Sequence, residues 1–304
     1  MTLTASILYW FLGITLAPLM MGIINRTKAF FGGRKGQPLL QDYHDLFKLL
    51  KKGAVYSRTS TWVFRASPVL GLSIVLLSLV LVPAGGLKAT VAFRGDFVFL
   101  AYVLGLMRFF TVLAALDTGS AFEGMGASRE MQFSLVSELV LFSGLAVLAA
   151  SSGQLSLSGI YGHLWSQDMT PTEAPVLLVA VALFLVLLAE NARIPVDDPT
   201  THLELTMIHE VMVLDHCGVD LALIQYSAAL KLWLFASLVV GLAIPLRTGL
   251  PMLDLSVNVT GVFITAVIVG VVESTMARLS LLRVPQMLLV ALALSLSAFF
   301  WILR

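Results

Sequence analysis

Charged residues and cysteine are both scarce in this sequence. Asp, Glu, Lys and Arg make up 12% of the 304 residues and hydrophobic residues 58%, whereas charged residues make up about 25% of a typical soluble domain. Such a composition cannot provide a polar surface around a soluble core, which indicates a membrane protein. The single cysteine, Cys217, excludes an internal disulfide framework and a four-cysteine metal site. The net charge of +1 gives no indication of a nucleic-acid partner.

Long apolar runs recur along the chain, and each is close to the length of about 20 residues that a helix needs to cross the bilayer core. They lie at 3–24, 67–84, 96–116, 132–151, 174–191, 222–245, 257–277 and 285–303. Because an open sheet cannot satisfy its backbone in lipid, we predict an all-α polytopic membrane protein, a single membrane domain over residues 1–304 with about eight transmembrane helices. The first run has no basic residue before it and no clear signal-peptide cleavage site, so we expect it to be retained.

The Lys and Arg residues between the predicted spans are distributed unevenly. The four loops at 25–66, 117–131, 192–221 and 278–284 contain 13 of them, and the opposite side contains four. Cytoplasmic loops carry the excess of basic residues in membrane proteins. We therefore predict that these four loops face the cytoplasm, that both termini lie on the outer face, and that the chain is a multi-pass protein of the cell (inner) membrane.

The first of these loops contains an amphipathic pattern. Within LLQDYHDLFKLLKK, apolar residues recur at helical spacing at Leu39, Tyr43, Leu46, Phe47 and Leu50. We predict an interfacial helix that lies on the cytoplasmic leaflet, with its lysines near anionic headgroups. A loop helix that covers a partner subunit is an alternative, and the two are compatible.

The segment from Glu190 to Asp220 concentrates the charge that the rest of the chain lacks. Its last 24 positions contain six of the eighteen acidic residues: Asp197, Asp198, Glu204, Glu210, Asp215 and Asp220. Three histidines, His202, His209 and His216, are spaced by seven, which on a helix places them on one stripe but two turns apart, too far for one compact metal site. We predict no metal site here and interpret the segment as a polar docking face or part of a proton path.

Five ionisable residues fall within or at the ends of the predicted spans: Arg108, Glu138, Glu190, Lys231 and Glu273. Charges in the bilayer are costly, so such side chains normally face protein or water. Burial moves the titration of carboxyl and lysine side chains toward neutral pH. The set therefore predicts a proton relay, and the alternative is fixed ion pairing that holds the bundle together, for example between Arg108 and Glu138.

Four blocks of the sequence resemble a known family over nearly the full length of the chain. They are RKGQPLLQDYHDLFKLL at 34–50, LDTGSAFEGMGASRE at 116–130, ENARIPVD from Glu190, and ESTMARLSL at 273–281. The chain resembles the large membrane-anchor subunit of formate hydrogenlyase and hydrogenase-4 type complexes, which is related to the quinone-chamber subunit of respiratory complex I, subunit 1 in the mitochondrial naming.

The resemblance implies a role in a redox complex. Subunits of this kind join a peripheral arm, in which an iron–sulfur small subunit and a catalytic large subunit carry the iron–sulfur clusters and the Ni–Fe site, to antiporter-like membrane subunits. Acidic positions of the family match Glu138, Glu190, Asp197, Glu204 and Glu273, and charged positions of its first loop match Arg34 and Asp45. The chain itself is expected to hold no cofactor and to have no catalytic residue, although a bound quinone is possible.

These observations give two sets of candidate residues. The proton-path candidates are Arg108, Glu138, Glu190, Asp197, Glu204, Glu210, Lys231 and Glu273. The candidates for docking the peripheral arm are Arg34, Lys35, Asp42, Asp45, Asp117, Glu123, Arg129 and Glu130.

The acidic segment also departs from the family pattern. It reads DDPTTHLEL where relatives carry a run like DLPEAESEL, so Thr200 and His202 stand where glutamates are expected. We predict a non-catalytic subunit that anchors the arm and couples its electron transfer to proton or sodium translocation. The alternatives are the quinone-chamber subunit of a quinone oxidoreductase, a purely structural anchor, and a stand-alone secondary transporter, which internal inverted repeats would support; we find none in the sequence.

Overall fold

The computed structural model describes residues 2–84, 87–164, 173–198, 207–244 and 248–302. Within these residues the chain is helical and contains no strand beyond one isolated bridge between Ala84 and Leu87. The α-helices are α1 (Thr2–Phe31), α2 (Gln41–Leu50), α3 (Trp62–Leu81), α4 (Asp96–Asp117), α5 (Ala121–Ser152), α6 (Leu157–Leu164), α7 (Glu173–Glu190), α8 (Gly218–Ala243), α9 (Pro251–Thr275) and α10 (Val284–Ile302), and a short 3₁₀-helix covers Glu210–Val213.

The helices confirm the predicted fold class, an all-α polytopic membrane protein. In the described part of the chain, seven helices are long and apolar enough to cross a membrane, namely α1, α3, α4, α5, α8, α9 and α10. The remaining predicted span corresponds to α7, which is apolar but shorter. All eight predicted runs therefore coincide with helices.

Helix α8 lies at the centre of the bundle. It packs against α1, α2, α3, α7 and α9, and α7 is in turn enclosed by α5, α8 and α10. Trp233 and Phe235 of α8 and Leu183 of α7 are fully buried. Membrane helices associate through close packing, for which small residues are favourable. At Gly270 of α9, an added Cβ atom would lie 2.7 Å from the Cβ atom of Thr27 in α1.

Helix α2 is the predicted amphipathic helix, and it lies at the end of the bundle where α1 ends and α8 begins. We call this the α2 end. One face of α2 packs against α8 and α1, and the Tyr43 hydroxyl donates to the Thr15 carbonyl. Phe47 and Leu50 are exposed on its other face, as expected for a helix at a membrane or protein surface.

The structure differs most from the sequence prediction at two loop boundaries and in two short elements. The predicted loop at 117–131 is mostly helix, because α5 begins at Ala121, and α1 continues to Phe31 in the predicted loop at 25–66. Helix α6 and the 3₁₀-helix were not predicted. The glycines of 119–126 explain the first difference: Gly119 forms a turn with φ +71°, but Gly126 lies inside α5, where a Cβ atom would be 2.3 Å from Val211.

Candidate functional site

Arg108 of α4 is the centre of a buried ionic cluster. Its Nε atom lies 3.1 Å from Glu130 Oε1, and its two terminal nitrogens donate to Oε1 of Glu138 and Oε1 of Glu190. A guanidinium has five N–H donors in a planar fork, so one arginine can serve several carboxylates at once. Arg108, Glu130 and Glu190 are buried, whereas the Glu138 side chain is 48% exposed.

Glu190, the last residue of α7, joins this cluster to α8. The Lys231 ammonium lies 2.8 Å from Glu190 Oε2 and 2.8 Å from its backbone carbonyl. The Ser137 hydroxyl of α5 also donates to the Glu190 carboxylate. A cation is favourable at this position because the carbonyls at a helix C-terminus carry partial negative charge. Contacts to Glu190 therefore hold four helices together.

The cluster continues into the segment between α7 and α8. His209 Nε2 lies 3.0 Å from Glu130 Oε2, and His209 Nδ1 lies 3.8 Å from Asp197 Oδ2. Asp197 is buried, accepts from the backbone N–H groups of Ile208 and His209 at 3.0 and 3.1 Å, and pairs with Arg278 at 2.9 Å. The carboxylate of Asp197 thus holds the backbone of the segment, and the His209 imidazole lies between Asp197 and Glu130.

The two members of the cluster in this segment, Asp197 and His209, have shifted pKa values. Burial alone would raise the pKa of Asp197, but hydrogen bonds and charge from His209 and from backbone N–H groups lower it below its usual range. Burial alone would lower the pKa of His209, but the carboxylates of Glu130 and Asp197 outweigh burial and raise it above 6.5. The raised pKa favours the protonated form of His209.

We call the connected residues the Arg108 network: Arg108, Glu130, Glu138, Glu190, Asp197, His209, Lys231 and Arg278. It contains two arginines, one lysine and four carboxylates besides His209. Its formal charge is therefore −1 when His209 is neutral and zero when His209 is protonated. Because an uncompensated buried charge is costly, the structure favours proton uptake by His209.

Glu273 belongs to a second, separate cluster. Its fully buried carboxylate lies 2.9 Å from Lys28 of α1 and 3.4 Å from Arg193, which follows α7. Asp42 of α2 faces the same region; burial raises the pKa of Asp42, Asp45 adds to the shift, and Arg193 opposes it. Among the described residues, neither Glu273 nor its two cations form an ion pair with the Arg108 network. The proton-path candidates therefore divide into two groups.

The remaining proton-path candidates are placed as follows. Glu204 lies outside the described residues, as do Thr200 and His202. Glu210 is half-buried at the start of the 3₁₀-helix. His216 is not on a helical stripe with His209 but stacks on Phe64 with ring centroids 3.9 Å apart, and burial lowers its pKa.

The docking candidates fall into exposed and inward-facing sets. Arg34 and Lys35 are exposed in the turn after α1, and Asp42 and Asp45 lie half-buried on α2. The other four form hydrogen bonds or ion pairs with other parts of the chain. Asp117 accepts from the Thr61 N–H at 2.6 Å, Glu123 accepts from the Asp215 N–H at 3.2 Å, Arg129 donates to the Met207 carbonyl at 2.9 Å, and Glu130 belongs to the Arg108 network.

Sequence reasoning did not place Glu130, His209 and Arg278 at the site together with Arg108. Glu130 and Glu138 are eight residues apart on α5, about two turns along one face. That periodicity was hidden because the predicted span began at residue 132. Nothing in the local sequence indicates Arg278, which reaches Asp197 across 81 positions of the chain.

The bundle and its buried charges define a multi-pass membrane protein organised around an internal ionic network. Comparison with known proteins identifies its family. The sequence pattern of the NADH dehydrogenase family matches residues 3–303, and the chain belongs to this family, the complex I subunit 1 family. The resemblance seen in the sequence is thereby confirmed.

Individual relatives agree with this assignment. The chain is 32% identical to hydrogenase-4 component C of Escherichia coli strain K12 over 298 residues, which cover 95% of this chain and 91% of the relative. It is 28% identical to formate hydrogenlyase subunit 4 of the same organism, covering 89% of each chain. A chain in the solved structure of the membrane-bound sulfane sulfur reductase, an archaeal respiratory membrane complex, has the same fold, with a TM-score of 0.82, 20% identity and 99% coverage of both chains.

Proposed function

We propose that this chain is the membrane subunit of a hydrogenase- or complex-I-like redox complex. In this role it anchors a peripheral iron–sulfur arm at the α2 end and couples electron transfer in that arm to proton or sodium translocation by antiporter-like membrane partners. The relatives named above are components of such complexes by name, which supports the proposal. The observation that carries it is the Arg108 network, in which each charged group lies within 3.8 Å of the next from Asp197 at the α2 end to Lys231 inside the bundle.

The proposed coupling is electrostatic. Redox change in the docked arm alters the field at the α2 end, where His209 and Asp197 lie. His209 then takes up or releases one proton, and the network passes between formal charges of zero and −1. Arg108 contacts three carboxylates at once. Its guanidinium then interacts most strongly with the carboxylate whose negative charge is least compensated by other groups. The change thereby reaches Glu190 and Lys231 without a cofactor in this chain.

The first test identifies the complex. The protein is purified with its partners from native membranes in mild detergent, and co-purifying subunits are identified by mass spectrometry. We expect a nickel–iron large subunit, an iron–sulfur small subunit and antiporter-like partners. Purification of the chain alone would contradict the proposal and favour a stand-alone transporter.

The second test addresses coupling. In vesicles that contain the complex, Glu190→Gln is expected to lower ion movement per electron transferred while the redox reaction continues, because Gln keeps the volume of the side chain but not its charge. The matched control is Asp254→Asn at the opposite end of the bundle, where Asp254 is buried and accepts from Thr248. Equal ion movement in Glu190→Gln and wild type would reject the coupling role of the network.

One observation favours a second function, that of a quinone-binding subunit. A cavity of about 220 Å³ lies between the first loop and the acidic segment, lined by Ser57, Ser60, Phe64, Thr118 and Asp215. Its volume is below the roughly 300–1,000 Å³ of typical ligand pockets, so it would take a quinone headgroup rather than a whole quinone. Stoichiometric quinone in the purified complex, lost when Ser60 is replaced by Leu, would favour this function.

A further inference from the structure

Glu138 presents a carboxylate on an outer face of the bundle that is otherwise apolar. Its side chain is 48% exposed, and its neighbours on α5, Leu135 and Leu139, are 64% and 52% exposed. On the adjoining helix α4, Leu106 and Phe109 are exposed as well. We call this surface the Glu138 face, and it consists of Leu106, Phe109, Leu135, Glu138 and Leu139.

The carboxylate lies near the middle of α4, a helix long and apolar enough to cross a membrane. Its Oε1 atom is 3.3 Å from the position that a Cβ atom would take at Gly105 of α4. Helix α4 runs from Asp96 to Asp117, so at a rise of 1.5 Å per residue Gly105 is about 14 Å from one end of the helix and about 18 Å from the other. A glutamate side chain is too short to reach either membrane surface from there, and lipid tails offer it no hydrogen-bond donor.

Arg108 donates a hydrogen bond to only one of the two oxygens of the Glu138 carboxylate. Its guanidinium donates to Oε1 of Glu138 but also serves Glu130 and Glu190. Among the described residues, no hydrogen bond or ion pair uses Oε2 of Glu138. A donor that approaches from outside the bundle would satisfy this oxygen, and Gly105, which has no side chain, leaves the approach open.

We propose that the Glu138 face is the contact surface for a membrane-spanning helix of another subunit, and that this helix places a lysine or arginine side chain against Glu138. The flanking leucines and Phe109 supply the apolar contact area, and the carboxylate determines which helix fits, because a helix without a donor leaves Oε2 unsatisfied. The contact would connect the Arg108 network laterally to the next membrane subunit. The contact rests on the proposed membership in a membrane complex, but not on the coupling role described above.

The test is site-specific photo-crosslinking in the intact complex in native membranes. A benzophenone amino acid replaces Leu139 in one variant and Leu135 in another, so that Glu138 itself is unchanged. Leu289 of α10, which is 53% exposed and is not part of the Glu138 face, is the matched comparison position. After illumination, the crosslinked peptides are identified by mass spectrometry.

We expect Leu139 and Leu135 to crosslink to one membrane-spanning segment of another polypeptide, with a Lys or Arg within one helical turn of the attachment point, and Leu289 not to crosslink to that segment. Combining Glu138→Gln with the photo-reactive group at Leu139 should lower the yield about tenfold, the loss expected for a charge-assisted hydrogen bond of about 1.4 kcal/mol. Adducts with lipid only, with a second copy of this chain, or with a segment that lacks Lys and Arg would overturn the proposal, as would an unchanged yield in Glu138→Gln.

Discussion

His209 Nε2 lies 3.0 Å from Oε2 of Glu130, and this contact joins the segment between α7 and α8 to the buried charges of the bundle. A histidine that can carry a proton near neutral pH thus touches a carboxylate that is bound to Arg108. The contact makes the charge of the network depend on pH and on the position of the segment.

Arg108 should be the most sensitive position for stability. Arg108→Met leaves three carboxylates without their shared cation and should lower the free energy of unfolding by about 3–5 kcal/mol, the usual cost of removing one partner of a buried ion pair. Arg108→Lys should cost less than Arg108→Met because it keeps the charge but not the planar fork. Denaturant unfolding in detergent measures both. The exposed Arg283→Met serves as control and should lie within about 0.5 kcal/mol of wild type.

Gly126→Ala should displace the segment that holds His209. The added Cβ atom would lie 2.3 Å from Val211 and 3.0 Å from the Ile208 carbonyl. Gly124→Ala is a matched control two residues away on the same helix, where a Cβ atom would meet nothing within 4 Å, and it should be neutral or stabilising by up to about 1 kcal/mol. Faster backbone hydrogen exchange over 207–213 in Gly126→Ala but not in Gly124→Ala would confirm the contact. Equal exchange in the two variants would contradict it.

His209 should make the folded protein less stable as the pH rises. The pKa of His209 is raised above its ordinary value of 6.5, so its protonation stabilises the folded state fully below pH 6.5, and this contribution disappears as the pH rises through the folded-state pKa. His209→Gln should remove this dependence. Thermal unfolding of the wild type and variant between pH 5.5 and 9 is the measurement. Parallel curves for the two proteins would show that the histidine does not titrate in this way.

Asp197 should control the order of the segment that carries His209. Asp197→Ala removes the acceptor of two backbone N–H groups and the partner of Arg278, and the loss of a buried partner of this kind costs about 3–5 kcal/mol. Hydrogen exchange at Ile208 and His209 should accelerate accordingly. Asp215→Ala is the control, since Asp215 is exposed in the same segment. If both variants exchange alike, the Asp197 contacts do not hold the segment.

Several features of the fold could be predicted from the sequence because their signals are local. Apolar runs long enough to cross a bilayer predicted the membrane helices, and helical spacing of apolar residues predicted α2. The boundary of α5 was not predicted because its glycines are typical of turns. Gly126 instead lies inside the helix, where the absence of a side chain allows Val211 to pack closely. A close contact between distant parts of the chain leaves no local pattern.

By itself, the sequence determined the class of this protein and the presence of ionisable residues inside apolar helices, since the cost of burying charge makes such residues conspicuous. It did not determine which of these residues form ion pairs with one another. Only the tertiary structure brings Arg108 to Glu190 across 82 positions and places Glu273 in a different cluster. The physical reason is that helix periodicity orients a side chain within its own helix, whereas the identity of its ion-pair partner depends on how the helices pack around α8.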